Sequence, residues 1–129
     1  MKVVGVFREL EQRSAAPLPS IHEAAGLMPN EVAQKILAYL KLFEAVFDVM
    51  EFTADPFDTS KGVSGGPSLH TDGEWIWRKD FAYYVENYRV AVASEFVQHV
   101  LDKSATEPNA PHPLEVWEAA MAAYYAVVA

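Results

Sequence analysis

His70, Asp72 and Asp80 lie close together in "LHTDGEWIWRKD". An imidazole beside two carboxylates is a reasonable ligand set for a divalent cation. Two of the three have other work, however. Asp72 precedes Gly73 in a turn dipeptide, and Asp80 stands where a following helix needs an N-cap. His70 is then alone, and one ligand is not a site, so neither a metal nor a cofactor is expected. Glu95 and His99 are four apart, with Asp102 three further on. That spacing suits a metal or an acid–base pair, but a solvated helix face meets it equally well, and we read it so. The serines lack a G-x-S-x-G elbow, and "GVSGGP" has neither G-K-[ST] nor G-x-G-x-x-G, so acyl transfer and phosphate cradling have no support. With no cysteine in the chain, thiol nucleophiles, disulfides and iron–sulfur clusters are excluded. No complete catalytic set emerges.

The elements that position these residues follow from local pattern. Asp72-Gly73 between two β-prone runs is a strong hairpin signal. A two-residue type I′ loop pairs Thr71 with Glu74 and Leu69 with Ile76, so that His70 faces Trp75. Alternation then puts Trp75 and Trp77 on one face and Glu74, Ile76 and Arg78 on the other. Asp80 caps a helix over "FAYYVENY", with Phe81, Tyr84, Val85 and Tyr88 inward and Tyr83, Glu86 and Asn87 outward.

Around this centre, residues 2–8 ("KVVGVFR") read as a strand. Ser20 and Glu23 form a capping box for a short helix from Ile21 to Leu27, which Gly26 ends early. Asn30 caps a helix whose stripe is Val32, Ile36, Leu37 and Leu40. Residues 44–52 fit a strand or a helix by spacing, and their β-branched and aromatic content favours a strand. This requires a break near Leu42 that no glycine or proline marks. "TADPFDTSKGVSGGP" is expected to be a loop. A helix from Ser94 to Lys103 turns Phe96, Val97, Val100 and Leu101 inward. "SATEPNAPHP" is a proline-rich connector. The last helix, 114–127, carries Leu114, Trp117, Met121, Tyr124 and Val128 on one stripe and has few charges, so it is either buried or covered by another subunit.

The segment "GGPSLHTDGEWIWRKDFAYYVENYRV", with "VGVFREL" and "LPSIHEA" near the start, resembles a family of small uncharacterised bacterial proteins. Its members carry a T-D-G-aromatic hairpin rich in tryptophan, then a D-x-x-Y-Y-V helix. The resemblance implies a strand over 44–52 and no assigned activity or catalytic residue. It also implies that histidine is common at the position of Arg89.

At 129 residues the chain fits one domain, 1–129, large enough to bury a core without covalent staples. The expected fold is α+β: a small, mainly antiparallel sheet of about four strands with helices packed mainly on one face. Strands are placed near 2–8, 44–52, 67–71 and 74–78. The formal charge of −8 argues against phosphate-driven nucleic-acid binding and favours a basic protein partner. No apolar tract reaches the ~20 residues that span a bilayer, and "MKVVGVFREL" does not read as a signal peptide, so a cytoplasmic protein is expected.

Two functions from different classes follow. The first is an acidic protein-interaction module, such as an immunity-type inhibitor of a basic toxin, supported by tryptophan and tyrosine anchors. The second is a small-molecule binder or enzyme with a pocket beside the 68–78 hairpin. The binding residues expected are His70, Asp72, Glu74, Trp75, Trp77, Tyr83 and Glu86. The C-terminal helix is the expected surface for self-association.

Overall fold

In the computed structural model, which describes residues 1–103 and 114–128, the Asp72-Gly73 reversal joins two strands, β5 (Leu69–Thr71) and β6 (Trp75–Arg78). Its register differs from the expected one by two residues. Thr71 pairs with Ile76, His70 with Trp77 and Leu69 with Arg78. Side-chain hydrogen bonds make the looser loop favourable. Asp72 Oδ1 accepts from the backbone N–H groups of Glu74 (2.8 Å) and Trp75 (2.7 Å). Thr71 Oγ1 accepts from Gly73 N–H at 3.0 Å and donates to the Trp75 carbonyl at 2.6 Å. A type I′ turn would need positive φ at Asp72, yet Gly73 alone takes it here (φ 98°). A shift of two keeps every side chain on its face, and both indoles do enter the same core.

The four-stranded sheet has the order β1-β6-β5-β2. β1 (Lys2–Val3) lies parallel to β6, whereas β2 (Ala45–Phe47) and β6 both run antiparallel to β5. Two expected strands are shorter than their patterns. The 2–8 run leaves the sheet after Val3, where Gly5 takes φ 71° against the Phe81 ring. The 44–52 run divides into β2, whose register is irregular, and the start of another strand at Phe52. The break near Leu42 is present: Leu42 N–H bonds back to the Tyr39 carbonyl.

The expected loop over 53–67 is instead mostly a second sheet. β3 (Phe52–Asp55) and β4 (Asp58–Ser64) pair antiparallel, with Thr53 opposite Val63 and Ala54 opposite Gly62. Proline and glycine density masked it. Pro56 sits in the connection rather than in a strand, and Gly62 leaves room for the Phe52 ring, which a Cβ would meet at 2.4 Å.

Among the described residues, five helices complete the α+β fold: α1 (Ile21–Ala24), α2 (Asn30–Leu40), α3 (Asp80–Tyr88), α4 (Ser94–Asp102) and α5 (Leu114–Val128). Ser20 does cap α1, but Glu23 is exposed, and the second capping group is Glu9 from far upstream. Glu9 accepts from Ser20 Oγ at 2.6 Å and from Ile21 N–H at 2.8 Å. The expected caps Asn30, Asp80 and Ser94 each lie one residue inside their helices, and the residues at the cap positions, Pro29, Lys79 and Ala93, make no side-chain cap bond. The α2 stripe is buried through Ile36, Leu37 and Leu40. In α4, Phe96 and Val100 turn inward as expected, whereas Leu101 is exposed.

The sheet divides the core in two. Trp75 and Trp77 pack with Ile36, Leu40, Phe81, Tyr84 and Phe96 under α2, α3 and α4. On the opposite face, Val6, Leu69 and Ile76 pack against Ala120, Tyr124 and Val128 of α5. The helices thus lie mainly on one side, with α5 on the other. The connector "SATEPNAPHP" falls outside the described residues. Among the described residues no helix is long and apolar enough to cross a membrane.

Candidate functional site

The seven expected binding residues do not converge. Trp75 and Trp77 are closed into the core. Phe96 meets Trp75 edge-on at 5.2 Å, and Phe43 meets Trp77 at 6.0 Å. His70 lies beside Trp77 in the ladder, and its Nδ1 is 2.9 Å from the Phe43 carbonyl, so Nδ1 carries the proton and donates. Its Nε2 is buried without a partner. Burial pushes the His70 pKa below the usual value, which keeps the ring neutral. Tyr83 is on a different part of the molecule, donating to Asp55 at 2.8 Å, and Glu86 is exposed on α3.

Asp72 holds a tertiary cluster at the hairpin turn. Its Oδ2 accepts from Tyr39 Oη (2.5 Å) and faces His99 Nε2 (2.7 Å). His99 Nδ1 is 3.3 Å from Glu74, which also lies 3.7 Å from Lys103. Burial alone would raise the Asp72 carboxyl. Hydrogen bonds from Tyr39, the Trp75 and Glu74 amides and His99 outweigh that effect and hold it below the usual carboxylate range. The cluster thereby locks the turn to α2 and α4. The sequence pattern draws attention to His99 but assigns it the wrong neighbours: Glu95 pairs with Lys2, and Asp102 accepts from Gln98. A cavity of about 460 Å³ opens beside this lock, lined by Met1, Lys2, Gly73, Glu74, Trp75 and His99. Among the described residues no group of three histidines or acids is placed to hold a metal ion.

Asp80, expected as a cap, and Arg78, expected on the face opposite the two indoles, form a buried ion pair. Arg78 is 2% exposed and Asp80 is fully buried. The guanidinium donates from Nε to Oδ1 (3.0 Å) and from Nη2 to Oδ2 (2.8 Å). Its Nη1 donates to the Leu10 carbonyl (2.6 Å) and to Glu11 (2.8 Å). Tyr124 of α5 also donates to Glu11, which ties that helix to the network. Burial raises the Asp80 carboxyl to about 6, with Arg78 limiting the rise, so the pair is ionised at neutral pH. A second buried carboxylate, Asp55, accepts from Tyr83 and Tyr88 (2.5 Å) and from Phe57 N–H (2.8 Å). These bonds fasten the β3–β4 hairpin to α3.

With the indoles enclosed, the surface available for contact lies elsewhere. From just before β2 to the first residue of β3 the chain exposes Glu44, Asp48 and Glu51, together with Met50, which is fully accessible, and Phe52, 60% accessible. β2 is the terminal strand of its sheet. Large apolar side chains beside carboxylates that make no ion pair among the described residues form a surface suited to protein contact. Pattern reading treats this segment as an ordinary strand. The signal available there was the alternation of acids with Val49, Met50 and Phe52 in "DVMEF".

Compared with protein-family models, with curated proteins and with solved structures, the chain finds no match.

Proposed function

We propose that the protein is an acidic interaction module that binds a basic protein in the cytoplasm, as an immunity-type inhibitor binds a basic toxin. The observation that carries this reading is the Glu44–Phe52 surface, where Met50 and Phe52 stand exposed among Glu44, Asp48 and Glu51. The apolar side chains supply desolvation at the centre of a contact, and the carboxylates supply orientation and encounter rate. The net charge of −8 adds long-range attraction for a basic partner, and the lack of cysteine suits a reducing compartment.

The test compares wild type with a Glu44→Lys/Asp48→Lys/Glu51→Lys variant of unchanged circular dichroism. Support would be a basic protein retained by wild type, released by salt and not retained by the variant. Retention that ignores both the substitutions and the salt would overturn the reading.

A small-molecule role has one observation in its favour, the cavity at the hairpin mouth with Glu74, Trp75 and His99 on its wall. Ligand-screening NMR with shifts at those three residues would support it. Self-association through α5 is favoured by Leu114, Trp117, Tyr125 and Val127, all exposed on a helix that is apolar around most of its circumference.

A further inference from the structure

His99 stands between two carboxylates, and the hydrogens around it leave one place unfilled. Asp72 is held below the usual carboxylate range, so it is ionised and only accepts. Its Oδ1 takes the Glu74 and Trp75 amides, and its Oδ2 takes the Tyr39 hydroxyl. The other neighbour of Oδ2, His99 Nε2 at 2.7 Å, must therefore carry a hydrogen and donate it. In a neutral imidazole the second nitrogen then bears a lone pair. That nitrogen, Nδ1, lies 3.3 Å from the Glu74 carboxylate oxygen Oε2, likewise an acceptor. The separation exceeds the about 2.7–2.9 Å of a charge-assisted N–H···O bond. Two acceptors thus face each other.

Both side chains line the cavity of about 460 Å³ at the hairpin mouth, together with Met1, Lys2, Gly73 and Trp75. The His99 side chain is 13% exposed and held by Asp72, whereas that of Glu74 is 60% exposed and can swing outward. A Cβ added at Gly73 would meet nothing, so that side of the mouth is open. The nearby cations do not fill the place between the acceptors. Lys2 is taken by Glu95, and Lys103 comes only within 3.7 Å of Glu74 Oε2, beyond hydrogen-bond range.

We propose that this cavity binds a small primary amine, whose ammonium donates one hydrogen to His99 Nδ1 and another to Glu74 Oε2 while its carbon chain lies against Met1 and Trp75. The proposal rests on the small-molecule reading of the cavity and names its ligand class. An ammonium fits because it carries three donors and a positive charge, answering a lone pair and a carboxylate together. A carboxylate ligand would set a third acceptor against these two, and an alcohol has a single hydrogen to share between them. A metal ion would find these two side chains without a third, as no three-ligand group exists among the described residues.

NMR titration of the labelled full chain in amine-free buffer provides the test, with butylamine as the probe and butyrate and butanol beside it. Butylamine should move the ring nitrogens of His99 and the amides of Glu74 and Trp75, and the other two should not. Glu74→Gln puts an amide NH₂ within reach of Nδ1, filling the place from inside. It should weaken butylamine at least about tenfold, the scale of a hydrogen bond to a charged group, while circular dichroism stays unchanged. Lys103→Ala, which removes a competing ammonium, should bind butylamine at least as tightly as wild type. The amine assignment is overturned if unliganded His99 carries hydrogens on both nitrogens at neutral pH, since a proton then occupies the place. It is also overturned if Glu74→Gln binds as wild type does, if Lys103→Ala binds more weakly, or if the shifts spread over carboxylates elsewhere. Butyrate or butanol moving Glu74, Trp75 and His99 while butylamine does not would end the amine and leave the small-molecule reading standing. Silence at those residues with all three probes and with a general fragment library would end both.

Discussion

Replacing Asp80 by alanine separates two physical accounts of one residue. As a helix N-cap, Asp80 would contribute about 1 kcal/mol, the usual loss when a capping side chain is removed. The structure gives it a different task. Arg78 is 2% exposed, and two of its donor contacts, Nε at 3.0 Å and Nη2 at 2.8 Å, end on the Asp80 carboxylate. Removing one partner of a buried pair leaves a desolvated charge, at a cost of about 3–5 kcal/mol. Glu11 and the Leu10 carbonyl still hold Nη1, which places the expected loss near the lower end, about 3 kcal/mol. Urea unfolding followed by tryptophan fluorescence measures this directly, as a fall in midpoint at constant slope. The double variant Arg78→Met/Asp80→Leu should recover most of the loss, because an apolar pair of similar size carries no buried charge. A loss of about 1 kcal/mol for Asp80→Ala, additive with that of Arg78→Met, would refute the ion-pair account.

Asp72→Ala should cost about 2–3 kcal/mol in the same assay, since two backbone amides, Tyr39 and His99 all lose their acceptor; a change under about 0.5 kcal/mol would remove the lock. The pKa of His70 is depressed by burial, so its contribution is intact above the unfolded value of about 6.5 and is lost as pH falls through the lower folded value. Wild-type urea midpoints should therefore drop between pH 8 and 5 by more than those of His70→Leu, and parallel profiles would contradict this. Met50→Ser should leave stability within about 0.5 kcal/mol, as the side chain is fully exposed; a larger loss would mean that Met50 is packed rather than offered to a partner. If α5 mediates self-association, light scattering should give a dimer mass for wild type and a monomer mass for Trp117→Asp, and identical masses would count against it.

The readings that survived depended on short-range periodicity. Trp75 and Trp77 sharing a face needs only the two-residue period of a strand, so it held even though the hairpin register moved by two. The α2 stripe and the inward Phe96 and Val100 follow likewise from helical spacing. Where local rules compete, the sequence was ambiguous. The glycines and proline of 53–67 signal a loop in any window, and only the Phe52 ring over Gly62 shows why that glycine belongs in a strand. The site was less legible than the fold. Neither the enclosure of both indoles nor the exposure of Met50 and Phe52 can be read from residue type.

Taken alone, the amino-acid sequence determined the α+β class, the reversal at Asp72-Gly73, the acidity, and the absence of thiol chemistry. Each of these depends on residue identity or on neighbours a few positions apart. Tertiary structure alone decided that Asp80 would answer Arg78 rather than cap a helix, that Glu9 would cap α1 from eleven residues upstream of Ser20, and that His99 would meet Asp72. A buried charge or an unfilled donor takes whichever partner the packed chain brings within about 3 Å, and that choice has no sequence spacing.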